Sequence, residues 1–345
     1  TSMHTVEIIS LPGRFWKWRM HGGAVTLAKR FHKLCFKPDL ILATDMLNLP
    51  VFQSLIKPTC PIHIYFHENQ FTYPWSTSDK DLELQRDKHY GFINYSSALS
   101  ADHVYFNSQF HLDSFFTGLE DFLRQFPDYR EIQNIATIMN KSSILYLGLD
   151  LKKCDKYKVE KQQNDPPLIL WNNRWEYDKN PETFFNVIKK LSAGGMEFQL
   201  AVVGEEYKIE LPCFTKARKS LKKHIVQFGY SPIFEDYAKW LWKADILPVT
   251  SNQDFFGGSI MDAVYCQTIP LLPKRLTYPE LFHLNDNPQL FYEDESELLD
   301  KLMAAVKDIP QIQQNHYQKI AEKYDWSNMV KKYDEEFEKH VIPII

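Results

Sequence analysis

The stretch LILWNNRWEYDKNPETFFNVIKKLSA (168–193) decides how this chain is read. LILW is a short apolar run with no polar alternation, as expected of a strand covered on both faces of a parallel sheet. A polar loop follows, and PETFFNVIKKLSA (181–193) then reads as a helix. Strand, loop and helix in that order place the loop at the carboxyl end of a strand, where open α/β sheets hold ligands.

The same alternation extends in both directions. After it, FQLAVVG (198–204), HIVQFG (224–229), ADILPVT (244–250) and TIPLLP (268–273) read as strands, with helices at 233–244 and 258–267. Before it, HTVEIISL (4–11), DLILAT (39–44), IHIYFH (62–67), HVYFNS (103–108) and SILYLGL (143–149) read as strands. Helical patterns at 24–36, 81–101 and 108–126 separate them. Between the two series, KKCDKYKVEKQQNDPP (152–167) is polar, of mixed charge and closed by two prolines, as expected of a linker. The expectation is two doubly wound α/β domains, at 1–151 and 167–325, joined by a linker at 152–166.

Composition bounds the function. The chain has 345 residues, 44% apolar and 24% charged, with a formal net charge of −4, which gives no global argument for nucleic acid. No apolar run approaches a membrane span, and the start TSMHTVEIIS does not read as a signal peptide. The cysteines Cys35, Cys60, Cys154, Cys213 and Cys266 are odd in number and scattered, as expected of reduced thiols in a cytoplasmic protein. His63, His89, His103 and His111 fit no metal-ligand spacing and read as structural or surface residues.

Two segments of the second half carry chemistry. In WNNRWEYDKNPETF (171–184), Arg174 and Lys179 share one loop, and two cations there can grip a diphosphate. Both are expected on the surface; taken alone, they also fit an ordinary solvated loop. In SNQDFFGGSIMDAVYCQTIPLL (251–272), Gly257, Gly258 and Ser259 open a helix whose bare N–H groups and dipole favour an anion. Asp254 before the turn and Asp262 one helical turn in can accept hydroxyl hydrogens of sugar and ribose. They equally fit a turn residue and a solvated helix position.

Together, in this order, the segments resemble the retaining glycosyltransferases of family 4, on the two-domain GT-B fold. In that family an Arg and a Lys after the first strand of the second domain hold the diphosphate, and E-x7-E holds ribose and sugar. Arg174, Lys179, Asp254 and Asp262 match those places, with Asp for Glu at both acids. GYSP (229–232) resembles the loop beside the nucleotide base, which implies base contacts at Gly229 and Tyr230. YDWSNMVKKYDEEF (324–337) resembles the closing helix, here 326–345, that crosses back to the first domain. The implied fold is therefore two Rossmann-like domains facing a cleft.

A closer resemblance is carried by LPGRFWKWR (11–19), IYFHENQFTYPW (64–75) and VYFNSQFHLDSF (104–115). It is to the tRNA-queuosine α-mannosyltransferases, which move mannose from GDP-mannose to the cyclopentenediol of queuosine in the anticodon of tRNA-Asp. The resemblance runs over nearly the whole chain. It implies a cytoplasmic, metal-free enzyme with no cofactor beyond the donor, acting with retention. It also implies that His67 meets the sugar or leaving phosphate, while Glu68, Asn69 and Gln70 hold sugar and acceptor hydroxyls. RFWKWR (14–19) interleaves cations with aromatics, so Trp16, Trp18 and Arg19 are candidates for stacking and backbone contact with unstacked RNA. The same letters fit an amphipathic surface strand. KARKSLKKH (216–224) adds six basic residues with His224, as a solvated helix face does. Relatives in the resembled family open on a short strand and a Gly-Ser-His loop ahead of HTVEIISL, so that unit is expected to be lacking here. A glycosyltransferase for a lipid or small glycoside, or a non-catalytic RNA-binding relative, are the alternatives.

Overall fold

The computed structural model describes residues 2–75, 81, 88–160, 166–204, 211–308 and 317–341. The chain divides into two compact units, Thr1–Leu147 with Met329–Ile345, and Gly148–Asn328.

In the first unit the described elements run α1 (Trp16–Phe31), β1 (Ile41–Thr44), α2 (Leu49–Ile56), β2 (Ile62–Phe66), α3 (Lys88–Ser100), β3 (His103–Phe106), α4 (Gln109–Arg124), α5 (Asn134–Met139) and β4 (Ser142–Ile144). The strands lie in the order β1-β2-β3-β4, all parallel. The pleat sends Ile62, Ile64, Phe66, Val104 and Phe106 into a core with Phe115, Phe116 and Leu119 of α4. Each such side chain contributes about 1.5–3 kcal/mol by leaving water. His63, Tyr65, His103 and Tyr105 take the opposite face. There the helix Trp326–Glu338, from Met329 onward part of this unit, covers them: Tyr333 stacks on Tyr65 and Phe337 packs edge-on against Tyr105.

Two local expectations fail here. Residues 4–11 form no strand, because among the described residues no neighbouring strand supplies a hydrogen-bond ladder. The Ser2 hydroxyl and Met3 N–H instead donate to the carboxylate of Asp334. The first helix begins at Trp16 rather than near residue 24, so RFWKWR is largely helical rather than a surface strand. The helical pattern expected over 81–101 is described at Asp81 and from Lys88; residues 82–87 lie outside the described residues.

The second unit runs β5 (Leu168–Trp171), α6 (Pro181–Ala193), β6 (Gln199–Val202), α7 (Pro212–Ser220), β7 (Ile225–Phe228), α8 (Phe234–Lys243), β8 (Ile246–Pro248), α9 (Gly258–Tyr265), β9 (Ile269–Pro273), α10 (Tyr278–Leu281), β10 (Phe291–Tyr292), α11 (Glu295–Lys307) and α12 (Gln318–Glu322). Helix Trp326–Glu338 follows as α13. Its parallel sheet has the order β10-β9-β8-β5-β6-β7. From β5 the chain winds outward to β7, then returns to β8 beside β5 and winds the other way. The strand order thus reverses between β5 and β8, and their carboxyl ends flank the crevice that such a switch point opens. Gly204, just past β6, lets that crevice wall close up: a Cβ there would lie 2.0 Å from the Asn173 carbonyl oxygen.

The segment expected as a linker differs. Lys152–Tyr157 form a 3-10 turn within the second unit, with Cys154 buried and its carbonyl accepting from Trp242 Nε1 at 2.9 Å. Residues 161–165 lie outside the described residues.

Candidate active site

The loop after β5 places Arg174 and Lys179 differently. Arg174 is exposed and pairs with Glu176 at 3.2 Å. Lys179 is buried, only 7% exposed, contrary to the expectation of two surface cations. Its ammonium meets the Gln253 carbonyl at 2.7 Å, Asp254 at 3.0 Å and Asp178 at 3.0 Å. Burial opposes its charge, but Asp254 and Asp178 outweigh that and raise its pKa above the ordinary lysine value. The loop after β8 is stitched to the same place. Asn252 N–H donates to the Asp178 carbonyl, and Thr250 Oγ1 donates to the carbonyls of Lys179 and Asn180. Asp254 also accepts from the hydroxyl of buried Tyr278.

Asn180 turns the chain at φ 51° and caps α6 by accepting the Thr183 N–H, with Pro181 in the first turn. That abrupt start directs the loop's charges back over the strand ends. Nearby, Asn172 donates to the Ser259 carbonyl, and Ser259 Oγ donates to Asn173 Oδ1. Yet Asn172 Oδ1, Asn173 Nδ2 and Gln253 Nε2 are buried without a hydrogen-bond partner among the described residues. An orphaned buried polar atom costs about 1–3 kcal/mol, so several at one sheet end call for a polar partner there, a water or a ligand.

Gly257 sits at φ 77° ahead of α9, with no side chain capping the helix, so the first N–H groups of Gly258 and Ser259 are presented bare. Asp262, one turn further, is partly buried and pushed up to about 6 by burial and by Asp150, against the pull of Lys153. After β7, Gly229 adopts φ 129° and Tyr230 is exposed, beside a groove of about 390 Å³ lined by Trp240, Lys239 and Lys243.

In the first unit the HENQ turn follows β2. The backbone N–H of His67 donates to Asp45 Oδ1 at 3.0 Å, and its ring Nδ1 lies 3.2 Å from the same oxygen. Asp45 is buried while the His67 ring is half exposed, so the carboxylate orients an imidazole that reaches solvent. Glu68 is partly exposed and accepts from Gln70 Nε2 at 2.9 Å. Asn69 has a different part from the one expected. It is wholly buried, and its Oδ1 accepts from Phe71 N–H, Thr72 N–H and the Thr72 hydroxyl, so it shapes the turn. Gln70 is buried, its N–H held by Asn94, which in turn donates to the Asp45 carbonyl.

In the basic-aromatic segment, Trp18 is 73% and Phe15 77% exposed, Phe15 in the left-handed region at φ 57°. Trp16 leans on Tyr90 at 5.2 Å. Lys17 pairs with Asp81 at 2.6 Å, and Arg19 Nε donates to the Arg14 carbonyl. His224 leaves the other basic run: it is buried, stacked on Phe198 at 3.9 Å, and bonded to Ser192 and the Phe198 carbonyl. Sequence reasoning missed Asp178, Tyr278 and Asp45. Asp178 adjoins Lys179 in the chain and was the only one of the three with a local signal.

Two parallel-stranded α/β units, the second with a cation-bearing switch point and an uncapped glycine helix start, have the make-up of the GT-B fold of glycosyltransferases. Solved structures agree on that fold: sucrose-phosphate synthase from Thermosynechococcus elongatus matches with a TM-score of 0.66 at 14% identity, over 97% of this chain and 81% of that one. A glycosyltransferase from Rickettsia africae matches at 0.65 and 15% identity, over 98% and 85%. Residues 1–149 match the family described as tRNA-queuosine alpha-mannosyltransferase N-terminal, and residues 154–324 match glycosyl transferases group 1. The tRNA-queuosine alpha-mannosyltransferase of Drosophila melanogaster is 30% identical over 97% of this chain and 89% of its own length. This chain belongs to the tRNA-queuosine α-mannosyltransferase family, and it is a hexosyltransferase.

Proposed function

We propose that the enzyme moves mannose from GDP-mannose to a cyclopentenediol hydroxyl of queuosine in tRNA-Asp, keeping the α configuration, without a metal. The acceptor reading rests on the family and its curated relative. The donor reading rests on one observation: Lys179 is buried and charged at the switch point, held by Asp178 and by Asp254 of the loop that leads to the helix start at Gly258. Arg174, Lys179 and that helix start stabilise the negative charge that develops on departing GDP. Asp262 accepts ribose hydroxyls; Gly229 and Tyr230 border the base.

The three acceptors around Lys179 use all three of its N–H bonds. Diphosphate binding therefore exchanges its bond to Asp254 for one to a phosphate oxygen. Asp254, released, accepts from a sugar hydroxyl. In the transfer step the bond from sugar C1 to the phosphate oxygen breaks and the bond to the acceptor oxygen forms on the same face. The acceptor proton passes to the leaving phosphate. On the acceptor side we assign His67, oriented by Asp45, and Glu68 to sugar and acceptor hydroxyls. Trp16, Trp18 and Arg19 are assigned to the RNA.

Mass spectrometry of nucleosides from queuosine-containing tRNA-Asp, after incubation with the full chain and GDP-mannose, tests this directly. A gain of one hexose on queuosine is expected. A gain with UDP-glucose but not GDP-mannose overturns the donor, and a gain on no queuosine tRNA overturns the acceptor.

A further inference from the structure

The sheet face of the first unit that lies against α13 holds a cluster the transfer reading leaves unused. His63 and His103 are register partners on β2 and β3, with ring centroids 5.5 Å apart. His340, just beyond α13, lies 4.6 Å from each of those rings, centroid to centroid. Glu336 sits one helical turn before it, with Oε1 3.6 Å from His340 Nε2. One ligand atom each from His103, Glu336 and His340 lie within 4.8 Å of one another.

From this juxtaposition we propose that His103, Glu336 and His340 bind a zinc ion that clasps the end of α13 to the sheet. Two imidazole nitrogens and one carboxylate oxygen are a donor set zinc takes readily. Bonds of about 2.0–2.1 Å set tetrahedral donors about 3.3 Å apart, so the present spacing closes by about 1.5 Å, within the reach of side-chain rotation. The ring of His103 is already oriented by Ser143 Oγ, 2.9 Å from its Nε2, as ligating histidines are by a second partner. His63, whose ring lies 4.6 Å from that of His340 and whose Nδ1 pairs with the Tyr105 hydroxyl at 3.2 Å, is a neighbouring group for a fourth position.

Burial and the neighbouring imidazoles pull His63 and His103 down to about 4. Burial raises the Glu336 carboxyl, but Lys339 and His103 more than offset it, and the group is ionised. Other charges face the cluster. Lys339 bonds the second Glu336 oxygen at 2.6 Å from an exposed position and can swing away. Lys141 is held by the carbonyls of Leu99 and Ala101, and Asp102 by the Ile62 N–H. Ring packing alone would be served by Phe or Tyr at these places. Ring packing does not call for a carboxylate one turn from an imidazole, and the Glu336–Lys339 ion pair does not call for the two imidazoles beside it.

The test is calorimetric titration of the chelator-treated full chain with zinc chloride, alongside thermal melts. One zinc per chain and a rise in Tm are expected. Glu336→Gln and His340→Ala are each expected to weaken binding at least about tenfold and to remove the Tm rise. Should His340→Ala not fold, Glu336→Gln carries the same comparison. Absence of stoichiometric binding overturns the proposal. So does binding that survives both substitutions, which would place the zinc on other groups such as the exposed Cys35.

Discussion

The loop after β5 and the turn after β2 each lie at the carboxyl end of an interior strand of a parallel sheet, yet they are built on different principles. In the first, charge is stored: Lys179 is buried against Asp178 and Asp254, and Arg174 stands outside. In the second, shape is stored: buried Asn69 ties the turn by three accepted hydrogen bonds, and only His67 and Glu68 look outward. A site that must answer a diphosphate needs held charge, because charge in a poorly solvated place acts strongly. A site that must choose among neutral hydroxyls needs fixed donors and acceptors.

Removing the buried cation tests that contrast hardest. Lys179→Ala should abolish transfer and lower stability by about 3 kcal/mol, since it strands buried Asp178 and removes the cation from partly buried Asp254. Arg174→Ala should cost roughly a hundredfold in kcat with an unchanged Tm. Turnover assays paired with thermal melts separate the two, and equal Tm losses would erase the distinction. Within the turn, Asn69→Ala should lower stability by about 1–2 kcal/mol, the cost of losing the hydrogen bonds that a buried amide accepts from the partly exposed Phe71 and Thr72. Glu68→Gln should leave stability unchanged, as urea unfolding would show.

Two weaker effects sharpen the same comparison. Trp18→Ala should weaken tRNA binding by about 1–3 kcal/mol while GDP-mannose affinity stays the same; parallel titrations check both. Asp262 is raised to about 6 in the folded chain, against an ordinary value of 3.8. The folded state therefore keeps a proton that the unfolded chain has lost, and stability falls as pH rises from 3.8 to 6. Asp262→Asn should abolish that fall and gain about 1–3 kcal/mol at pH 7, while donor affinity drops. Denaturant unfolding at several pH values measures it.

Much of this architecture was legible in the chain. LILW and IPLLP are apolar without alternation because both faces of their parallel sheet are covered. The pattern therefore marked strands and, by alternation with helices, the loops at their carboxyl ends. HTVEIISL misled because a strand needs a partner as well as a pattern. Lys179 misled because its letters match those of a solvated loop cation, and its burial depends on Asp254, 75 residues away.

Local sequence determined what local physics governs: strand and helix periods, the glycine turn before α9, and the strand–loop–helix order that aims polar loops at a ligand. Tertiary structure alone decided which charges are buried, which amide of HENQ supports the turn, and which histidines meet. His103 and His340 lie on a strand and just beyond a helix far apart in the chain, and no spacing rule joins them. Ion pairs, orphaned polar atoms and ligand clusters are properties of distance in space, and only the closed chain sets that distance.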